Sequence, residues 1–111
     1  SITAEGRAAL QQSLRTEPQP PELHKNFLIQ LAWAESLSDE AVLDLLEAYA
    51  REIEGRLQLL EGQAARGQNT PARSRRERYL WRRIADNLMA AYRTELEWAR
   101  QTQQALRERN Y

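Results

Sequence analysis

Five arginines between residues 75 and 83 (Arg75, Arg76, Arg78, Arg82 and Arg83), with Arg73 just upstream, are the densest concentration of chemistry in the chain. Guanidinium groups donate in planar pairs to phosphate oxygens, so Arg73, Arg75 and Arg76 are candidate phosphate contacts. Against that, arginines at a helix start oppose the helix dipole and need acids nearby. Glu52, Glu54 and Glu61 would lie opposite them in a helical hairpin, and a formal net charge of zero favours pairing with acids, within the chain or between subunits, over phosphate binding.

Catalysis finds few residues. The single histidine, His24, has neither a cysteine nor a second histidine to share a metal, and Glu22 beside it suits a structural pair. Glu95 and Glu97 are two apart and point to different faces of a helix, which excludes a carboxylate pair for acid–base work. Asp39 and Glu40 are accounted for by a helix start, and no glycine-rich phosphate loop occurs. The sequence therefore predicts no enzyme, no metal and no cofactor. The aromatics allow a binding role. Phe27, Trp33, Tyr49 and Trp81 are a candidate pocket for a small aromatic effector, although Trp and Tyr at helical spacing more commonly form core or interface. Asn87, next to Leu88, would need a partner if buried and could set register between helices.

These side chains must be positioned by helices. Pro18, Pro20 and Pro21 end a first helix predicted over about 3–14, with Thr3 as its cap and Ala8, Leu10 and Leu14 as its apolar residues. A second helix is predicted over about 21–35, with Leu23, Phe27, Leu31 and Ala34 on one face and Leu28 alongside. Ser38-Asp39-Glu40 starts a third, running to about Glu61, whose stripe is Val42, Leu45, Leu46, Tyr49, Ile53, Leu57 and Leu60. Gly62 and Gly67 bracket a polar loop over 63–69. Thr70-Pro71 then starts a fourth helix, to about Arg107, with Leu80, Ile84, Leu88, Tyr92 and Leu96 in line, widened by Trp81, Ala85, Ala99 and Leu106. The fold class is all-α: a long antiparallel helical hairpin with two shorter helices.

Length and charge bear on partners. Residues 1–62 hold five basic and eleven acidic side chains, and residues 63–111 hold eleven basic and five acidic. Opposite signs on antiparallel neighbours fix register more than they add stability. The fourth helix outruns the third by about 20 Å, which is left without an intrachain neighbour unless the first or second helix covers it. The overhang is expected at its C-terminal end, carrying Trp98, Leu106 and Tyr111. A second copy of the chain is the simplest cover, so the candidate dimer interface is Leu80, Ile84, Leu88, Tyr92, Leu96, Trp98 and Leu106. The alternative is a helix that frays after Ala99 along the polar run from Arg100 to Gln104. The chain has no cysteine for disulfides or thiolate chemistry and no apolar run of membrane-spanning length. A cytoplasmic protein is expected.

Three segments carry a family resemblance. Ile2-Thr3-x-x-Gly6 is similar to the exit from the wing of a winged helix. Leu37-Ser38-Asp39-Glu40-Ala41, followed by Leu45, Leu46 and Glu47, resembles a Leu-Ser-x-Glu lead into a long helix. Tyr92-Arg93-Thr94-Glu95-Leu96-Glu97-Trp98 resembles a closing helix with an acid shortly before a Trp. In this order they resemble the C-terminal part of a PadR-like transcriptional regulator. Ala99 after Trp98, Trp33 in the second helix and the arginine cluster depart from that family's pattern.

The resemblance implies a dimerisation and effector domain of a cytoplasmic DNA-binding repressor. Residues 1–17 would be the end of the wing and a linking helix, and 18–111 the helical dimerisation domain. DNA would be bound through an N-terminal domain absent from this chain, and a small aromatic compound would be the effector. The alternative function is an all-helical scaffold or adaptor that binds a protein partner.

Overall fold

A computed structural model describes residues 3–22, 25–66 and 74–111. Four α-helices and one 3₁₀ turn make up its regular structure, and no strand occurs among the described residues. They are α1 (Ala4–Leu14), α2 (Asn26–Ala32), the 3₁₀ turn Ala34–Ser36, α3 (Asp39–Ala65) and α4 (Arg75–Arg107). The molecule is extended, 62 × 31 × 21 Å.

Side-chain caps define three of the helix starts. The Thr3 hydroxyl accepts from the Gly6 amide at 3.0 Å, Ser38 from Ala41 at 3.2 Å and Ser74 from Glu77 at 3.1 Å. Each satisfies an amide that the helix itself leaves unpaired. Asp39 and Glu40 add negative charge to the first turn of α3.

Three boundaries differ from expectation. Helix α2 covers Asn26–Ala32 rather than 21–35, because no side chain caps its start and the chain turns at Trp33 into the 3₁₀ segment. Helix α3 continues past Glu61 to Ala65, so Gly62 and Gln63 are helical. One glycine costs a helix about 1 kcal/mol, which the strong helix formers Ala64 and Ala65 readily offset. The described part of α4 starts at Ser74–Arg75; the Thr70-Pro71 start, like Ile2, Leu23, His24, Gly67 and Arg73, lies outside the described residues.

The core lies between α3 and α4. Leu46, Ala50 and Ala99 are fully buried, Ile53, Leu57 and Met89 nearly so, and Phe27, Val42, Tyr49, Leu96, Trp98 and Leu106 pack around them. Alanines at 50 and 99 let the two helices approach closely. Asp39 meets Tyr111, Glu47 meets Arg100 and Gln103, and Glu61 meets Arg93, so partner numbers fall along α4 as they rise along α3.

This register moves the overhang to the other end of α4. With Glu61 opposite Arg93, the last turn of α3 lies level with Met89, and residues 75–88 run on beyond it for about 20 Å. The C-terminal end is covered instead. Trp98 and Leu106 pack on the core, and the Tyr111 hydroxyl donates to Asp39 at 2.9 Å. Nor does α4 fray after Ala99, since it stays helical to Arg107.

Candidate functional site

Two side-chain clusters and one bare face of α4 hold the chemistry of the molecule. The first cluster joins the long helices. Arg100 donates to Glu47 at 2.7 Å and to Glu54 at 2.6 Å, and also to the Gln103 carbonyl at 2.9 Å. Gln103 is 1% exposed, and its amide donates to Glu47 at 3.1 Å. Arg51 reaches the other oxygen of Glu47 from one turn along α3. Hydrogen bonds from Gln103, Arg100 and Arg51 hold the Glu47 carboxyl down at about 2, against an ordinary 4.5. The Arg100 guanidinium is correspondingly held in its charged form by Glu47 and Glu54.

The second cluster seats α2. Phe27 stacks on Tyr49 with ring centroids 4.0 Å apart, and meets Trp98 edge-on at 6.4 Å. Below the rings, Glu95 accepts from the Tyr49 hydroxyl and from Lys25 at 2.7 Å. Burial and the Glu95 carboxylate push the Tyr49 hydroxyl pKa well up. Burial pushes Glu95 up too, but Lys25 and Tyr49 outweigh it and hold the carboxyl below its ordinary value.

The bare face lies on the N-terminal part of α4. Leu80, Trp81, Ile84 and Leu88 are 47–59% exposed. On the same segment an open hollow of about 470 Å³ is lined by Arg75, Arg76, Arg78, Tyr79 and Arg82, with the Arg82 guanidinium 5.5 Å from the centre of the Tyr79 ring. Arg83 pairs with Asp86 at 3.1 Å.

The residues singled out from sequence are divided among these places. Of the candidate interface, Leu80, Ile84 and Leu88 share the bare face, whereas Leu96, Trp98 and Leu106 pack on the chain's own core and Tyr92 is half-buried. Of the candidate pocket, Phe27 and Tyr49 fill the space between them with their own rings, while Trp33 is 83% exposed and Trp81 sits on the bare face. Asn87 is exposed. Within the chain, the expected pairing of Arg75, Arg76, Arg78, Arg82 and Arg83 with the acids of α3 does not form. Glu52 is taken by Arg56, Glu54 by Arg100 and Glu61 by Arg93. Both polar clusters escaped the sequence reading, although Gln103 lies on the line Leu96–Ala99–Leu106, where a polar side chain signals a buried partner. Among the described residues no three His, Asp or Glu side chains converge as a metal site would require, and no helix is long and apolar enough to cross a membrane.

Residues 24–107 match the sequence model of a family described as virulence activator alpha C-term. The chain belongs to this virulence activator alpha C-terminal family. The match covers α2, the 3₁₀ turn, α3 and α4, the helices that carry both polar clusters and the bare face. It overturns the resemblance to PadR-like regulators, whose family model does not match. The first of the three motifs behind that resemblance, Ile2-Thr3-x-x-Gly6, lies outside the matched span. The other two are a capped acidic helix start and an acid on an amphipathic helix, patterns that helix physics favours in many folds. No curated protein and no solved structure matches the chain.

Proposed function

We propose that this virulence activator alpha C-terminal domain is the dimerisation module of a transcriptional regulator. In this reading α3 and α4 act as an antiparallel hairpin, and the part of α4 beyond α3 packs against a second copy. The observation that carries it is the bare stripe of Leu80, Ile84 and Leu88 at intervals of four residues, with Trp81 beside it. Fully burying a large apolar side chain yields about 1.5–3 kcal/mol. Each is already half covered, so stripes from two copies together supply roughly 6–12 kcal/mol. That is the scale of the entropic cost of association, so both stripes are needed. The family name supports the regulatory part of the reading. A rigid hairpin pair would then set the separation of two DNA-reading elements, and with it the half-site spacing they accept.

The test is sedimentation of the chain beside an Ile84→Glu/Leu88→Glu variant. The expected result is a dimer for the chain and a monomer, with helicity unchanged, for the variant. A chain that stays monomeric at tens of micromolar overturns the proposal and favours an adaptor that offers the same stripe to a different protein.

A further inference from the structure

We infer that the N-terminal part of α4 is a second functional surface, a contact for the phosphodiester backbone of duplex nucleic acid made by Arg75, Arg76, Arg78 and Arg82. Three observations carry this. The acids of α3 do not neutralise these arginines, which lie beyond its last turn: Glu52 pairs with Arg56, Glu54 with Arg100 and Glu61 with Arg93. Arg75, Arg76 and Arg78 make no ion pair with any described residue and are exposed, in a segment with five arginines and one glutamate over residues 75–83. They are also gathered. All four line one open hollow with Tyr79, and the Tyr79 ring steadies Arg82 from below. Arginine clusters of this kind suit phosphates, whose oxygens accept in pairs from the planar guanidinium.

Position separates this surface from the dimer stripe and favours a polyanion over a lipid surface. At about 100° per residue, Leu80, Ile84, Leu88 and Trp81 span roughly 100° of the helix; Arg75 and Arg82 lie on the opposite side, roughly 150–170° from the middle of that arc, whereas Arg76 and Arg78 flank it, roughly 40° beyond Leu80 and roughly 60° beyond Trp81. A flat bilayer that took up the apolar stripe would leave Arg75 and Arg82 facing water on the far side. A second copy on the stripe leaves Arg75 and Arg82 open, with Arg76 and Arg78 at its rim, so both contacts can be made at once. The surface would serve the regulator proposed above by adding sequence-independent affinity beside whatever element reads the bases.

The experiment is fluorescence anisotropy of a labelled mixed-sequence duplex titrated with the chain and with an Arg75→Gln/Arg76→Gln/Arg78→Gln/Arg82→Gln variant, over about 50–200 mM salt. The expected result for the chain is binding whose affinity falls with salt at a log–log slope of roughly −3 to −4 for about four phosphates. The variant is expected to lose about tenfold or more in affinity, with a much flatter slope. All four positions lie on the exposed N-terminal part of the helix, so circular dichroism should show the variant as helical as its parent, and sedimentation should show it in the same oligomeric state. That last reading keeps a failure here distinct from a failure of the dimer. Equal duplex affinity for the two proteins, or no duplex binding at low salt, overturns the inference. Capture of the chain by phosphatidylserine vesicles without duplex binding also overturns it and assigns the surface to membranes.

Discussion

Phe27 lies flat on Tyr49, with the two ring planes only 5° from parallel. The contact, closed by Trp98 at its edge, is an apolar hold of the short helix α2 on the long pair, whereas Leu28 and Ile29 are largely exposed. Lys25 and Glu95 fix the same helix by charge one residue pair away.

Removal of the Phe27 ring should therefore release α2 without dissolving α3 and α4. Phe27→Ala is expected to cost about 1–3 kcal/mol, less than a fully buried Phe because the residue keeps some exposure to solvent. Thermal unfolding gives the loss, and a changed Trp98 emission in the native state reports the departure of the ring. An unchanged melting temperature would show that α2 is not held there.

The close approach of α3 and α4 depends on two small residues. Ala50 and Ala99 are both fully buried. Ala99→Leu forces extra volume into that contact and is expected to destabilise by about 1–3 kcal/mol, whereas Ala90→Leu on the exposed side of α4 should be near neutral. Denaturant midpoints of the two variants decide the matter.

Arg100 is the shared donor between Glu47 and Glu54. Arg100→Met keeps most of its apolar stem but leaves both carboxylates and the buried Gln103 short of a partner. The pair is partly solvated, so the expected loss is about 1 kcal/mol, and it should shrink in high salt. A melting temperature unaffected by the substitution at low salt would exclude a role for the network in stability.

The same network predicts an acid response. Glu47 titrates at about 2 in the folded chain against an ordinary 4.5, so its stabilising contribution is complete above about pH 4.5 and is lost as the pH falls toward 2. The melting temperature should drop over that window, and Glu47→Gln should flatten the drop while lowering stability near neutrality. An identical acid profile for the variant would place the acid sensitivity elsewhere.

Helix identity was largely legible from the chain. Thr3, Ser38 and the apolar stripe from Leu46 to Leu57 announce α1 and α3, because caps and periodicity are local properties of neighbouring residues. The boundary at Gly62 was less legible, since one glycine weighs little in a helix held by tertiary contacts.

What the chain could not disclose was register. The same stripe on α4 allows the helix to overhang at either end, and only the choice of Arg93 and Arg100 as partners for Glu61, Glu54 and Glu47 fixes which. That choice covers Trp98 and Leu106, bares Leu80, Ile84 and Leu88, and leaves the arginines from 75 to 78 without the acids expected for them. By itself the sequence determined that the four helices of the described residues form and where the apolar stripes of the long ones run. Only the tertiary structure decided which stretch of that face meets its own chain, because long-range side-chain pairs are set by how far one rod slides along the other, and no spacing within a single rod encodes it.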